Sequence, residues 1–168
     1  MENFKKHLKE TISYSSSNRD DFKREELFNN NKDKMKLVKS LNGFDVYKMK
    51  EIFFLSKNGI YKGYIDSIID TFNSKKAIFI SQVSVEERGT YKIFIDILLR
   101  SGYFYVISDL NLSEDATKFY KKALENTSWT KVIIKYNKEI IFNKKEYSKE
   151  EIHNILNDGT LTIAFIKE

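Results

Sequence analysis

The chain has 168 residues, of which 41% are hydrophobic and 32% charged, a composition typical of one globular domain with a proper core. It contains no cysteine and only two histidines, which excludes disulfides, thiol catalysis and cysteine-ligated metal sites. The net charge of +5 lies mainly in the first 50 residues, where 12 basic groups are interleaved with 8 acidic ones. Such interleaving is typical of a solvated helical face, so nucleic acid is not an expected partner.

No apolar run approaches the roughly 20 residues that span a bilayer, and residues 1–10 lack the apolar block of a signal peptide. We therefore expect a cytoplasmic protein with no membrane partner. We expect one domain over residues 1–168. It would contain an N-terminal helical part (1–44), a hairpin and crossover core (45–126), and a C-terminal hairpin, helix and strand (127–168).

The N-terminal part has helical spacing of its apolar residues. Residues 2–14 predict one helix, and Asp20–Phe28 predicts a second, with Phe22 and Phe28 on one side. The three asparagines that follow predict its end. Met35–Leu41 is too short to assign to a helix or a strand from its pattern.

The middle of the chain predicts strands. Asp45–Lys57 has the pattern of a single strand, and Ile60–Ile69 that of its return strand. Between them, Asn58-Gly59 is a strong hairpin signal because both turn positions favour positive φ. Ala77–Val85 predicts a third strand, whose alternation places Ile80 and Gln82 on the same face.

A crossover follows the third strand. Tyr91–Ser101 predicts a helix that Gly102 ends, and Tyr103–Ser108 is apolar throughout, as expected of a central strand. A strand, helix and strand in this order predict one parallel pair in the sheet.

The C-terminal third predicts further helices and strands. Ser113 predicts the start of a helix through Asn126, and 129–136 with 139–142 predicts a hairpin. Ser148–Leu156 predicts a short helix in which Glu151 completes a capping box, and Leu161–Ile166 predicts a last strand. The fold class is therefore α+β or α/β, with a mixed, mostly antiparallel sheet, one central β-α-β crossover and flanking helices.

The crossover turn is a candidate anion site. Backbone N–H groups at the start of a helix face outward, and the helix dipole favours negative charge there. Arg88 offers a planar fork and Lys92 a point charge for phosphate oxygens. The alternative is a solvated turn in which Glu86 pairs with Arg88.

At the crossover, residues 52–124 resemble the GNAT superfamily of N-acetyltransferases. FFLSKNGIYKGYI is similar to the family's hairpin, QVSVEERG to the strand that enters the cofactor motif, and SEDATKFYKKAL to its second motif. The stretch SDLNLSEDATKFYKKAL also resembles GNAT-like proteins of bacteriophages. The resemblance implies a GNAT-like sheet and transfer of an acetyl group from acetyl-CoA to an amine of a small molecule or a protein.

The resemblance also implies roles for particular residues. Tyr120 matches the family's general acid, which protonates the leaving thiolate, while Glu86, Glu87 or Asp66 would serve as the base. The residues that the resemblance assigns to acetyl-CoA are Val83, Val85, Arg88, Gly89, Thr90, Tyr91, Lys92 and Ser113. No metal is implied.

Departures from the family pattern, above all at Tyr91 and Ile93, support a second hypothesis. Tyr91 and Ile93 stand where the family has small residues that let the backbone approach a pyrophosphate, and Ser113 replaces an asparagine. A protein with these changes could be a catalytically inactive GNAT-fold binding protein, a pseudoenzyme that no longer binds acetyl-CoA. If encoded by a bacteriophage, its partner would be a host macromolecule.

Overall fold

The structure is a computed structural model that describes residues 18–87, 89–108, 117–122, 130–135, 138–141, 148, 150, 151, 153, 154 and 161–166. The strands are β1 (Lys36–Leu41), β2 (Phe44–Met49), β3 (Ile52–Lys57), β4 (Ile60–Phe72), β5 (Lys75–Val85), β6 (Tyr105–Ile107), β7 (Thr130–Lys135), β8 (Lys138–Ile141) and β9 (Leu161–Ile166). The helices are α1 (Asn18–Asn31), a 3₁₀ turn (Lys32–Lys34) and α2 (Thr90–Arg100), and residues 117–122 are also helical. None of the described helices is long and apolar enough to cross a membrane.

In the described part of the chain, the strands form one sheet in the order β1-β2-β3-β4-β5-β6-β9-β7-β8. Its one parallel pair, β5 with β6, lies at the centre, and all other neighbours are antiparallel. The predicted fold class, a mixed and mostly antiparallel sheet with one central crossover, is therefore confirmed. The last strand, β9, lies between β6 and β7 and links the crossover to the C-terminal hairpin.

The crossover helix α2 forms because its apolar residues recur at helical spacing. Its buried residues are Thr90, Tyr91, Phe94, Ile95, Ile97, Leu98 and Leu99. They pack on one side of the sheet against Phe53, Leu55, Ile65, Ile78 and Ile80. We call this side the α2 face. The predicted helix is confirmed, and so is its stop, because Gly102 has φ +100°, which a residue with a Cβ rarely adopts.

Helix α1 packs on the opposite side of the sheet, which we call the α1 face. Phe28 is fully buried there against Phe54, Tyr61 and Tyr64. The predicted second helix is confirmed, although it continues through the three asparagines that were expected to end it. Phe22 does not share the buried side of Phe28, because its side chain is 68% exposed.

The first three strands differ from the sequence prediction. Asp45–Lys57 is not a single strand, since it folds back at Lys50-Glu51 into β2 and β3. Lys50 has φ +55° in this turn, and a lysine gives no local signal for such a conformation. The unassigned segment before it forms β1, which a turn at Asn42-Gly43 joins to β2.

The other local predictions hold where the structure describes them. Asn58 and Gly59 have φ of +51° and +79° in the hairpin between β3 and β4, as the primed turn requires. The C-terminal hairpin forms β7 and β8, and β9 has the predicted bounds. Ser148 and Glu151 form the predicted capping box through two reciprocal hydrogen bonds. The first predicted helix, 2–14, lies outside the described residues.

Candidate functional site

The central parallel strands separate soon after they meet. Strand β5 pairs with β6 only at Ala77–Phe79, opposite Tyr105–Ile107, and then continues for six residues to Val85. Within the described residues, Ile80–Val85 has a partner strand on its β4 side only. As far as the described residues go, the other edge presents backbone N–H and C=O groups with which an extended, amide-bearing ligand can pair.

A β-bulge lies where the two strands begin to separate. The pairing of β4 with β5 shifts by one residue between Asp66 and Ser67, which leaves Ser81 as the extra residue. The Ser81 hydroxyl donates a hydrogen bond to the Asp66 carbonyl at 3.0 Å. Bulges re-aim side chains and are frequent beside active sites.

The bulge corrects the alternation that the sequence predicted for this strand. Val83 and Val85 pack on the α2 face together with Ile80, so the valines that the resemblance assigns to a ligand do not oppose Ile80. Gln82 pairs with Asp66, whereas Val83 pairs with Ile65 of the α2 face, so Gln82 lies on the α1 face. The extra residue reverses the faces of all positions that follow it.

The turn after β5 leads into α2 with a left-handed glycine. Gly89 has φ +85°, and a Cβ at this position would meet nothing within 4 Å, so its backbone conformation rather than space favours glycine. Thr90 is buried, and its hydroxyl donates to the Glu87 carbonyl at 2.6 Å, which closes the turn. Lys92 is exposed in the first turn of α2. Arg88 and Ser113 lie outside the described residues.

Tyr91 and Tyr120 are brought together in the core. Their hydroxyl oxygens are 2.8 Å apart, and the two side chains are 7% and 2% exposed. The Tyr91 ring also lies against Phe119, with centroids 4.4 Å apart, and Tyr120 stacks on Phe165 of β9. Burial raises the pKa of Tyr91, so its hydroxyl stays protonated at neutral pH. The position expected to lie at the cofactor loop therefore contacts the expected general acid.

The three candidate bases have different surroundings. Glu87 forms an ion pair with Lys62 at 2.9 Å, and this hydrogen bond lowers its pKa. Desolvation and, after it, the nearby carboxylate of Glu25 raise the pKa of Glu86, which makes its ionised form a stronger proton acceptor than an ordinary glutamate. Asp66 forms an ion pair with Arg24 of α1 at 2.8 Å.

Arg24 and Gln82 were missed as site residues. No local signal relates Arg24 to Asp66, which is 42 residues away, and the face of Gln82 depends on the bulge. No group of three or more residues that could hold a metal ion occurs in the part of the chain that the structure describes. The assignment of individual residues to a ligand stays a prediction.

No family model matches the chain, and no curated protein matches it. Among solved structures, the chain is similar to N-acetylglutamate synthase from Neisseria gonorrhoeae, complexed with coenzyme A and N-acetyl-glutamate. The identity is 12% and the TM-score 0.37, and the match covers 92% of this chain and 34% of that chain. The chain thus spans about a third of the length of that protein. The similarity is distant and assigns no role to any residue of this chain.

Proposed function

We propose that the chain is an acyl-CoA-dependent N-acyltransferase that transfers an acetyl group to an amine. The separation of β5 from β6 after three paired positions supports this proposal best, because it leaves the backbone of Ile80–Val85 available beside the start of α2. A ligand that is extended, rich in amides and phosphorylated at one end matches a free strand edge that leads to a helix N-terminus.

The chemical groups at this edge match those of acetyl-CoA. The backbone of Val83 and Val85 would pair with the amides of the pantetheine arm, and Lys92 and the first N–H groups of α2 would face its phosphates. The Tyr91 ring is directed into the core, since it packs on Phe119, and only its backbone faces the turn.

Bound acetyl-CoA would supply a thioester whose carbonyl carbon is attacked by the amine nitrogen. In the transfer, a C–N bond would form as the C–S bond breaks, one amine proton would pass to a carboxylate, and the leaving thiolate would take a proton. Tyr120 would donate that proton, and the Tyr91 hydroxyl, 2.8 Å away, would hold the Tyr120 hydroxyl in place. Glu86 would be the carboxylate that takes the amine proton, since its pKa is raised.

The Tyr91–Tyr120 hydrogen bond also favours a second function, a cofactor-free binding protein. Both hydroxyls lie in the core and contact each other. A general acid held in this way must change its contacts to reach a thiolate. In this alternative the two tyrosines stabilise the fold, and the surface binds another macromolecule.

Calorimetric titration with acetyl-CoA and with CoA separates the two functions. The acyltransferase is expected to bind both ligands and to release free thiol when an amine is added. An absence of heat and of thiol release at millimolar ligand would contradict it. If acetyl-CoA binds to Tyr91→Ala but not to the wild type, Tyr91 blocks the ligand, and the cofactor-free protein is supported. Tyr103→Ala is the control and should not gain binding, although it too shortens a buried tyrosine of the α2 face.

A further inference from the structure

Two buried polar atoms at the bulge have no hydrogen-bond partner among the described residues. They are Oδ1 of Asp66 and Nε2 of Gln82. The two residues are direct cross-strand partners, so their Cβ atoms are about 5 Å apart. One atom can only accept a hydrogen bond and the other can only donate one.

The surrounding contacts leave these two atoms available. Arg24 takes up the other carboxylate oxygen of Asp66, Oδ2, at 2.8 Å. Ser81 donates to the Asp66 backbone carbonyl and not to its side chain. The side chains of Arg24 and Asp66 are 30% and 19% exposed, so this cluster lies near the surface and not in a sealed core.

Polar atoms in such a position normally have a partner, because an unsatisfied buried donor or acceptor is costly. A single ligand that donates one hydrogen bond and accepts another satisfies both atoms. The position is also chemically apt, since it lies at the bulge where β5 separates from β6.

We propose that Asp66 and Gln82 form the acceptor subsite, which binds a primary amine that also carries a hydroxyl or carbonyl oxygen. The amine donates a hydrogen bond to Asp66 Oδ1, and the oxygen accepts one from Gln82 Nε2. The role of the subsite in acyl transfer rests on the proposed function, but amine binding can be tested without it. The subsite gives Asp66 the role of holding the amine, and the carboxylate proposed to take the amine proton is still Glu86.

Gln82 is the only glutamine in the chain, so selective ¹⁵N-glutamine labelling reports on this side chain alone. The probes are 2-aminoethanol and n-propylamine, which differ by a hydroxyl in place of a methyl group. In the absence of any CoA compound, 2-aminoethanol is expected to shift the Gln82 side-chain NH₂ signals saturably, and n-propylamine to shift them far less. Asp66→Asn is expected to weaken that binding at least several-fold.

Equal shifts with the two amines, or none up to tens of millimolar, would overturn the subsite. In that case the two atoms are satisfied by ordered water only. Gln82→Met keeps the length of the side chain without its donor, and it serves as the second variant if Asp66→Asn fails to fold.

Transfer kinetics separate failure of the subsite from failure of the proposed function. At equal free-amine concentration, kcat/KM for 2-aminoethanol is expected to exceed that for n-propylamine about tenfold, as one well-placed hydrogen bond allows. Gln82→Met should remove this preference by lowering kcat/KM for 2-aminoethanol toward the value for n-propylamine. Transfer without any preference in the wild type refutes the subsite alone, whereas selective NMR shifts without any transfer refute the acyltransferase alone.

Discussion

The two faces of the central sheet differ in what they bury. The α2 face buries an apolar cluster that includes Phe94, and its hydroxyl pair, Tyr91 with Tyr120, is internally hydrogen-bonded. The α1 face buries apolar rings too, but beside them lie the Arg24–Asp66 ion pair and the unsatisfied amide of Gln82.

Apolar burial is non-directional and accounts for most stability, whereas polar groups reduce stability unless each has a partner. The α2 face therefore contributes to stability mainly through apolar burial. The α1 face retains groups whose partners are incomplete, as expected of a surface that meets a ligand.

The largest effect is expected from Phe94→Ala on the α2 face. Phe94 is fully buried, and its removal leaves a cavity that should cost about 4 kcal/mol of the free energy of unfolding. Urea denaturation followed by circular dichroism measures this cost. Phe22→Ala on α1 is the matched control and should change the free energy by less than about 0.5 kcal/mol, because Phe22 is 68% exposed. Comparable losses in the two variants would contradict the assignment of this stability to burial of the Phe94 side chain.

A smaller effect is expected from the tyrosine pair. Tyr91→Phe removes the 2.8 Å contact with Tyr120 and should cost about 1 kcal/mol, as for one buried hydrogen bond. In a double-mutant cycle, Tyr91→Phe and Tyr120→Phe together should cost clearly less than the sum of the single changes. Strict additivity would show that the two hydroxyls do not stabilise each other.

The smallest effect concerns Glu86 and Glu87 and is expected to depend on pH. The pKa of Glu86 is raised, chiefly by desolvation and then by Glu25, so its ionised form destabilises the folded state above that pKa. Glu86→Gln should therefore be slightly more stable than the wild type at neutral pH. This advantage should vanish as the pH falls through the raised pKa toward the unfolded value of about 4.3.

Glu87→Gln is the matched control, and the sign of its effect is reversed. Lys62 lowers the pKa of Glu87, so its ionised form contributes stability above the unfolded pKa that is lost as the pH falls through the lowered pKa. Glu87→Gln should be less stable than the wild type at neutral pH. The Glu87 difference should shrink in high salt, since its ion pair with Lys62 is exposed and screened, whereas the larger, desolvation part of the Glu86 difference should persist. Effects of the same sign in the two variants would contradict these electrostatic assignments.

Local signals predicted much of the fold. Asn58-Gly59 requires two positive φ angles, Gly102 supplies the left-handed stop, and Ser148 with Glu151 caps its own helix. Each of these signals acts within a few residues. Prediction from local signals missed the turn at Lys50-Glu51, because a lysine carries no local signal for its positive φ.

The contacts of the candidate site are of another kind. Tyr91 and Tyr120 are 29 residues apart, and Arg24 and Asp66 are 42 residues apart. Pairing across such distances depends on how the strands and helices assemble, and periodicity within one element does not encode it.

Composition by itself determined that this chain has no thiol chemistry and few histidines, which leaves carboxylates, tyrosines and backbone amides for any catalysis. The order of apolar patterns along the chain also determined a mixed sheet with a central crossover, because apolar periodicity specifies elements and their order. Only the tertiary structure decided that the expected cofactor position and the expected acid touch, and that Gln82 faces Asp66. For Gln82, the physical reason is the extra residue at Ser81, which reverses the side-chain faces of β5 and is specified by pairing with β4 and not by the local sequence. For Tyr91 and Tyr120, it is the packing of two helical segments that are distant in the sequence.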